Sequence, residues 1–227
     1  MFVQFLIEDM SGAKLIEAIM GKIMMEYSTI KIDYNVRSYK GIGNFRKGKD
    51  ARNIKSEQLL GDLPKRLRAF NVEFKNKDDV ALFIVIDNDI RKTDVFRAQL
   101  ENISKTNNIT IDHVFCIAVE EMEAWLLGDI SAIIAAYPKI RDRIATKHSQ
   151  YKQDEIRVEG TWEFLADMLT KNGFQRFKKD NPSCSDIGKN KSEWMELIGK
   201  HLNIRKNVSP SFNYFINELD TRINLHI

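Results

Sequence analysis

Cysteine is nearly absent: Cys116 and Cys184 are the only two in 227 residues, one inside an apolar run and one in a polar stretch. They form neither a CxxC pair nor a Cys/His ligand spacing, which argues against structural zinc and for a reducing compartment. Histidine is equally sparse. His113, His148, His201 and His226 make no HxxxH or HxxE pair, so neither a zinc site nor a histidine general base stands out. Serine-nucleophile chemistry lacks its GxSxG elbow. No apolar run approaches the roughly 20 residues of a membrane-spanning helix. Residues 2–7, FVQFLI, are too short for a signal h-region, carry no basic n-region and run straight into Glu8 and Asp9. They read as a buried strand, and the chain as a cytoplasmic protein without membrane association. Internal repeats and low-complexity linkers are missing too.

What remains is a globular composition, 43% hydrophobic and 30% charged, in a chain long enough to bury its own core. Continuous or alternating apolar runs at 2–7, 29–35, 80–86 and 113–119 read as strands. Helical periodicity separates them, at 11–27, 56–70 (with Pro64 in an early turn or at a break) and 93–104. Strands alternating with helices predict βαβ units and an α/β fold with a mostly parallel sheet flanked by helices. Beyond Asp129 the pattern is helical, with candidates near 130–136, 161–172, 192–201 and 211–223. The chain thus divides into an α/β core over 1–129 and a helical extension over 130–227.

The strand ends carry acids. Glu8 follows the first strand, Asp87 and Asp89 the third, Glu121 and Glu123 the fourth. Ligand sites of open parallel sheets lie beyond the carboxyl ends of the strands. Two aspartates one residue apart on an extended chain point the same way, with Asn88 pointing away. Glu121 and Glu123 share a side if the strand continues and diverge by about 200° on a helix. Clustered carboxylates that hold Mg²⁺ or Mn²⁺ suit phosphoryl transfer, where charge on phosphate oxygens is neutralised and a water or hydroxyl is activated. The bland alternative is a set of solvated loop acids complementing helix N-termini.

Basic residues cluster away from these acids. Between Arg37 and Lys55 seven positive residues meet a single acid, Asp50, and Tyr39 and Phe45 interleave with them. Lys40, Arg46, Lys47, Lys49 and Arg52 are the candidates for nucleic-acid contact, with charge for phosphates and rings for stacking. GNFRKGKD at 43–50 nearly spells a P-loop, but Asp50 replaces the hydroxyl and no buried strand leads directly into it. Lys171, Arg176, Lys178, Lys179, Lys189 and Lys191 make a second cluster, read as nucleic-acid contact or as plain surface. Trp125, Leu126 and Leu127 read as core. Ser209, with Pro210 behind it, reads as the cap of the last helix, and Asn207 is within reach of the acidic edge.

Glu8 in FLIEDMSG and the DxD of FIVIDNDI resemble the metal-binding pattern of Toprim domains in topoisomerases, primases and OLD-type nucleases. More specifically, IEDMS (7–11), DND (87–89), EEMEAWLLGD (120–129) and NVSPSFNYF (207–215) resemble, in that order, the blocks of the Toprim-like domain of unknown function 4276 family of bacterial proteins. Glu8, Asp87, Asp89, Glu121, Glu123, Trp125, Asn207, Ser209, Ser211 and Phe212 fall on that pattern. The resemblance spans most of the chain; the basic block 36–56 stands apart from it. It implies a Toprim-like fold and a divalent-metal-dependent nuclease, a phage-defence effector working beside a separate ATPase subunit. A non-catalytic module that binds nucleic acid or a partner is the other expectation, and an enzyme of small phosphate esters a third. DNA or RNA, and monomer or homodimer, stay open.

Overall fold

Residues 80–86 contain no polar side chain because both faces of their strand are covered. A computed structural model describes residues 1–39, 59–155, 160–170 and 184–226. Four strands, β1 (Phe2–Ile7), β2 (Asp33–Ser38), β3 (Val80–Asp87) and β4 (His113–Ala118), form an all-parallel sheet in the order β2-β1-β3-β4. Side chains alternate strictly between its faces. Val3, Phe5, Ile7, Phe83, Val85 and Cys116 enter one apolar cluster, while Leu6, Leu82, Ile84, Ile86, Phe115 and Ile117 enter the other. Each large side chain so buried contributes about 1.5–3 kcal/mol before entropy is charged against it.

The chain steps from β1 outward to β2 and then back across β1 to β3. With right-handed crossovers this reversal puts the two connecting helices on opposite faces. Accordingly α1 (Met10–Glu26) buries Leu15, Ile16 and Ile19 in the first cluster, and α2 (Leu59–Glu73) buries Leu63 and Leu67 in the second, beside Phe96 and Leu100 of α3 (Thr93–Thr106). After β4 come α4 (Glu123–Leu127), α5 (Ile130–Ala136), a short 3-10 turn (Pro138–Ile140), α6 (Arg141–His148), α7 (Thr161–Leu169), α8 (Cys184–Gly199) and α9 (Pro210–Asn224). Helix α8 packs on α1 and α9 on β4. The first cluster therefore runs on through Trp194, Ile198, Phe212 and Phe215. Among the described residues no helix is long and apolar enough to cross a membrane.

One local expectation changes and one left open is decided. The second strand lies at 33–38, not 29–35, because pairing starts where Asp33 N reaches Met1 O at 3.0 Å; Ile32 is buried ahead of it. Pro64 does not break its helix: α2 runs through it at the expense of one backbone hydrogen bond, held by Leu60, Leu63 and Leu67 in the core.

Candidate functional site

A crevice opens at the carboxyl edge of such a sheet where neighbouring strands send the chain to opposite faces, here between β1 and β3. Glu8 and Asp87 meet at that point. Glu8 Oε2 accepts the backbone N–H of Asp87 at 3.1 Å. The residue after Glu8 does a different job: Asp9 N-caps α1, accepting from Gly12 N at 2.7 Å and from Ser11 Oγ at 2.8 and 2.9 Å. Gly12 is small for a reason, since a Cβ there would stand 2.5 Å from Met122 Sδ. That close approach brings the start of α1 against the β4–α4 turn, and with it Asp9 into the field of Glu123.

Asp89 parts from Asp87. The strand ends at Asp87, so the extended geometry that would align the two is lost; Asp89 takes φ 49° and its carboxylate pairs with Arg91 at 2.6 Å. Asn88 points inward and is fully buried. It donates to Arg91 O and Thr93 Oγ1 and accepts from Glu120 N, tying the ends of β3 and β4 together.

Glu121 precedes α4 and Glu123 opens it, yet they converge, because a lysine from a distant helix stands between them. Lys191 Nζ of α8 lies 3.4 Å from Glu121 Oε1 and 3.2 Å from Glu123 Oε1. Glu121 Oε2 also accepts Trp162 N at 3.0 Å, capping α7, whose own cap residue Gly160 has no side chain. Glu120, buried with φ 65°, accepts from Thr161 Oγ1. Glu163 completes the surroundings on the same helix.

These acids share one field. Burial pushes Glu8 up to about 7, with the charges of Asp89 and Asp9 adding and the Asp87 N–H opposing. Burial likewise drives Glu123 up to about 8 against the pull of Lys191, and Glu163 up to about 7. Asp87 stands well above the ordinary carboxylate range, through burial first and then the charges of Glu8 and Glu123. Burial disfavours the Lys191 ammonium, but Glu123, Glu121 and Asp87 outweigh it and raise its pKa.

Among the described residues no three His, Cys, Asp or Glu side chains stand at metal-ligand spacing. The donor set nonetheless suits a hard cation. It consists of carboxylate oxygens, and Asp87 Oδ1 is buried without a hydrogen bond. Glu8, Asp87, Glu121 and Glu123 thus come together around Lys191, while Asp89 turns to Arg91. Lys40, Arg46, Lys47, Lys49 and Arg52 lie outside the described residues.

Lys191, Glu120 and Glu163 were not singled out as site residues from sequence. Lys191 belonged to a cluster read as surface or nucleic-acid contact, but it does carry a signal: it occupies position i of a stripe whose i+3, i+4 and i+7 members, Trp194, Met195 and Ile198, are all buried. Asn207, within reach of the acidic edge by sequence, is held elsewhere, donating to Trp125 O at 2.7 Å and accepting from Ser209 N at 2.8 Å.

Fold and site together define a doubly wound parallel α/β protein with a buried carboxylate–lysine cluster at its switch point. The chain belongs to the family described as Domain of unknown function (DUF4276), whose model matches residues 7–220. No curated protein and no solved structure matches it.

Proposed function

We propose that this protein is a divalent-metal-dependent nuclease that hydrolyses phosphodiester bonds, with Mg²⁺ or Mn²⁺ held by the acids of the β1–β3 edge. The observation that carries this reading is the meeting of Glu8 and Asp87 at the switch point, joined by the Glu8 Oε2 to Asp87 N hydrogen bond, with Asp87 Oδ1 buried and unsatisfied. The resemblance of Glu8 and the DxD to the Toprim pattern supports it. A bound cation would supply Lewis-acid stabilisation of phosphate charge and a more acidic water. Glu8 and Asp87 are the residues to hold it, Asp89 sits at the rim on Arg91, and Glu121 and Glu123 hold Lys191 in place. On the resemblance alone rest a separate ATPase partner and a role in phage defence; a cytoplasmic location rests on the sparse, unpaired cysteines.

The test is incubation of the purified protein with single- and double-stranded DNA and structured RNA, with and without Mg²⁺ or Mn²⁺, beside Asp87→Asn. Metal-dependent cleavage that disappears in the folded variant is the expected result and names the substrate. Equal cleavage by wild type and folded variant removes Asp87 from the mechanism.

One observation favours a second reading, a non-catalytic module that binds nucleic acid or a partner protein: Lys191 already partners Glu121 and Glu123. That reading expects binding to the same nucleic acids with no turnover in either metal.

A further inference from the structure

Two of the carboxylates at the sheet edge meet a lysine. Glu121 gives one oxygen to Trp162 N and the other to Lys191, and Glu123 faces the same ammonium. Glu8 and Asp87 are joined through the Asp87 backbone N–H, and Asp87 Oδ1 takes no hydrogen bond. Lys191 is no loose surface chain. Its side chain is 15% exposed and that of Glu123 1%, so an ammonium withdrawn from this place would leave a buried carboxylate without its partner.

The helix under Lys191 is fixed as well. Trp194, Met195 and Ile198 are buried, and a Cβ on Gly199 would stand 3.2 Å from both Leu15 and Ala18 of α1. The backbone that carries Lys191 is therefore clamped to the helix that starts one residue after Asp9. A divalent ion placed between Glu121 and Glu123 would sit almost on top of the ammonium, and two cations at that separation in a poorly hydrated pocket repel strongly.

We infer that Lys191 is a built-in cation that takes the place of a second metal ion between Glu121 and Glu123, so that the acidic edge binds one divalent cation, at Glu8 and Asp87, and not two. This rests on the metal-site reading given under Proposed function. Lys191 is in these terms a positioning residue: it holds two carboxylates in place and restricts the site to a single ion.

Calorimetric titration of Mn²⁺ into the full chain tests this, comparing wild type with Asp87→Asn, Lys191→Met and Lys191→Arg. Wild type is expected to take up one equivalent, lost or weakened at least ~10-fold in Asp87→Asn. Lys191→Met is expected to take up two, and Lys191→Arg, which keeps the charge, one. Electron paramagnetic resonance of the bound Mn²⁺ adds a readout of spacing: a spin-coupled pair of ions roughly 4 Å apart should be absent in wild type and present in Lys191→Met. Two equivalents in wild type, or an unchanged stoichiometry in folded Lys191→Met, overturn the inference while leaving the metal site standing. No Mn²⁺ uptake by either protein overturns both. Should Lys191→Met fail to fold, the wild-type stoichiometry and its loss in Asp87→Asn decide the matter.

Discussion

The two halves of the block 120–129 make an instructive pair. Its first half, Glu120 to Glu123, turns into the acidic edge; its second, Trp125 to Asp129, becomes a clasp for the last helix. The clasp is closed by hydrogen bonds between its two strands of chain. Asn207 bridges Trp125 O and Ser209 N, Val208 N reaches Gly128 O at 2.9 Å, and Trp125 Nε1 donates to Ser211 Oγ at 3.0 Å. Asp154 accepts from Ser209 Oγ and Ser211 N, and Asp129 caps α5 while accepting Asn203 N. Gly128 admits Asn207 so closely that a Cβ would collide with its Oδ1. At the acidic edge, the buried Oδ1 of Asp87 lacks a hydrogen bond and the carboxylates press upon one another. Similar residue types thus serve two ends, and the difference lies in whether their bonding capacity is already spent. A clasp stabilises the fold; a crowded acid cluster stores unfavourable charge that a cation can relieve.

That contrast can be broken by mutation. The largest effect is expected at Trp125, fully buried and stacked on Phe215 at 5.1 Å. Trp125→Ala should cost about 3–5 kcal/mol, seen as a large drop in the denaturation midpoint. A value near zero would mean that the α9 clasp does not support the core. Asn207→Ala, which strands the Trp125 carbonyl and the Ser209 N–H, should cost about 1–3 kcal/mol by chemical denaturation without changing Mn²⁺ binding.

The acidic edge should respond in the opposite sense. Glu8 and Glu123 have folded-state pKa values raised from 4.5 to about 7 and about 8, so the protonated forms favour folding. Their contribution is fully present below pH 4.5 and is lost as pH rises through 7 to 8. In chelator-containing buffer the melting temperature should therefore fall between pH 5 and 8, and Mn²⁺ should restore it. A flat profile would show that these acids are not desolvated. Smallest of all is the stability change in Asp87→Asn. Removing a crowded buried charge should leave stability unchanged or raise it by roughly 1 kcal/mol, while metal uptake disappears. Destabilisation as severe as that of Trp125→Ala would make Asp87 part of the clasp logic and not of a site.

Much of this was legible in the chain. The buried strands at 80–86 and 113–119, the helices at 11–27 and 93–104, the Ser209 cap with Pro210 behind it and the core placement of Trp125 follow from periodicity and capping chemistry, and all are found, the element ends to within about two residues. The edge strand β2, Asp33–Ser38, starts later than the alternation at 29–35 predicts. Its alternation of Ile30, Ile32, Tyr34 and Val36 has one period throughout, and only the bond from Asp33 N to Met1 O marks where pairing starts. Asp89 does not align with Asp87 because the chain leaves the extended conformation there, at φ 49°.

By itself the amino-acid sequence determined local matters: which segments are helix or strand, which faces are apolar, and that acids follow three strands. These depend on near neighbours, on side-chain periodicity and on turn and cap chemistry. Only the tertiary structure decided that β1 lies between β2 and β3, so that the switch point falls at Glu8 and Asp87. Only it carried Lys191 from a helix more than a hundred residues beyond Asp87 into the middle of the carboxylates. Strand order and long-range ion pairing are properties of how whole elements pack, and burial in a shared low-dielectric crevice is what couples these charges.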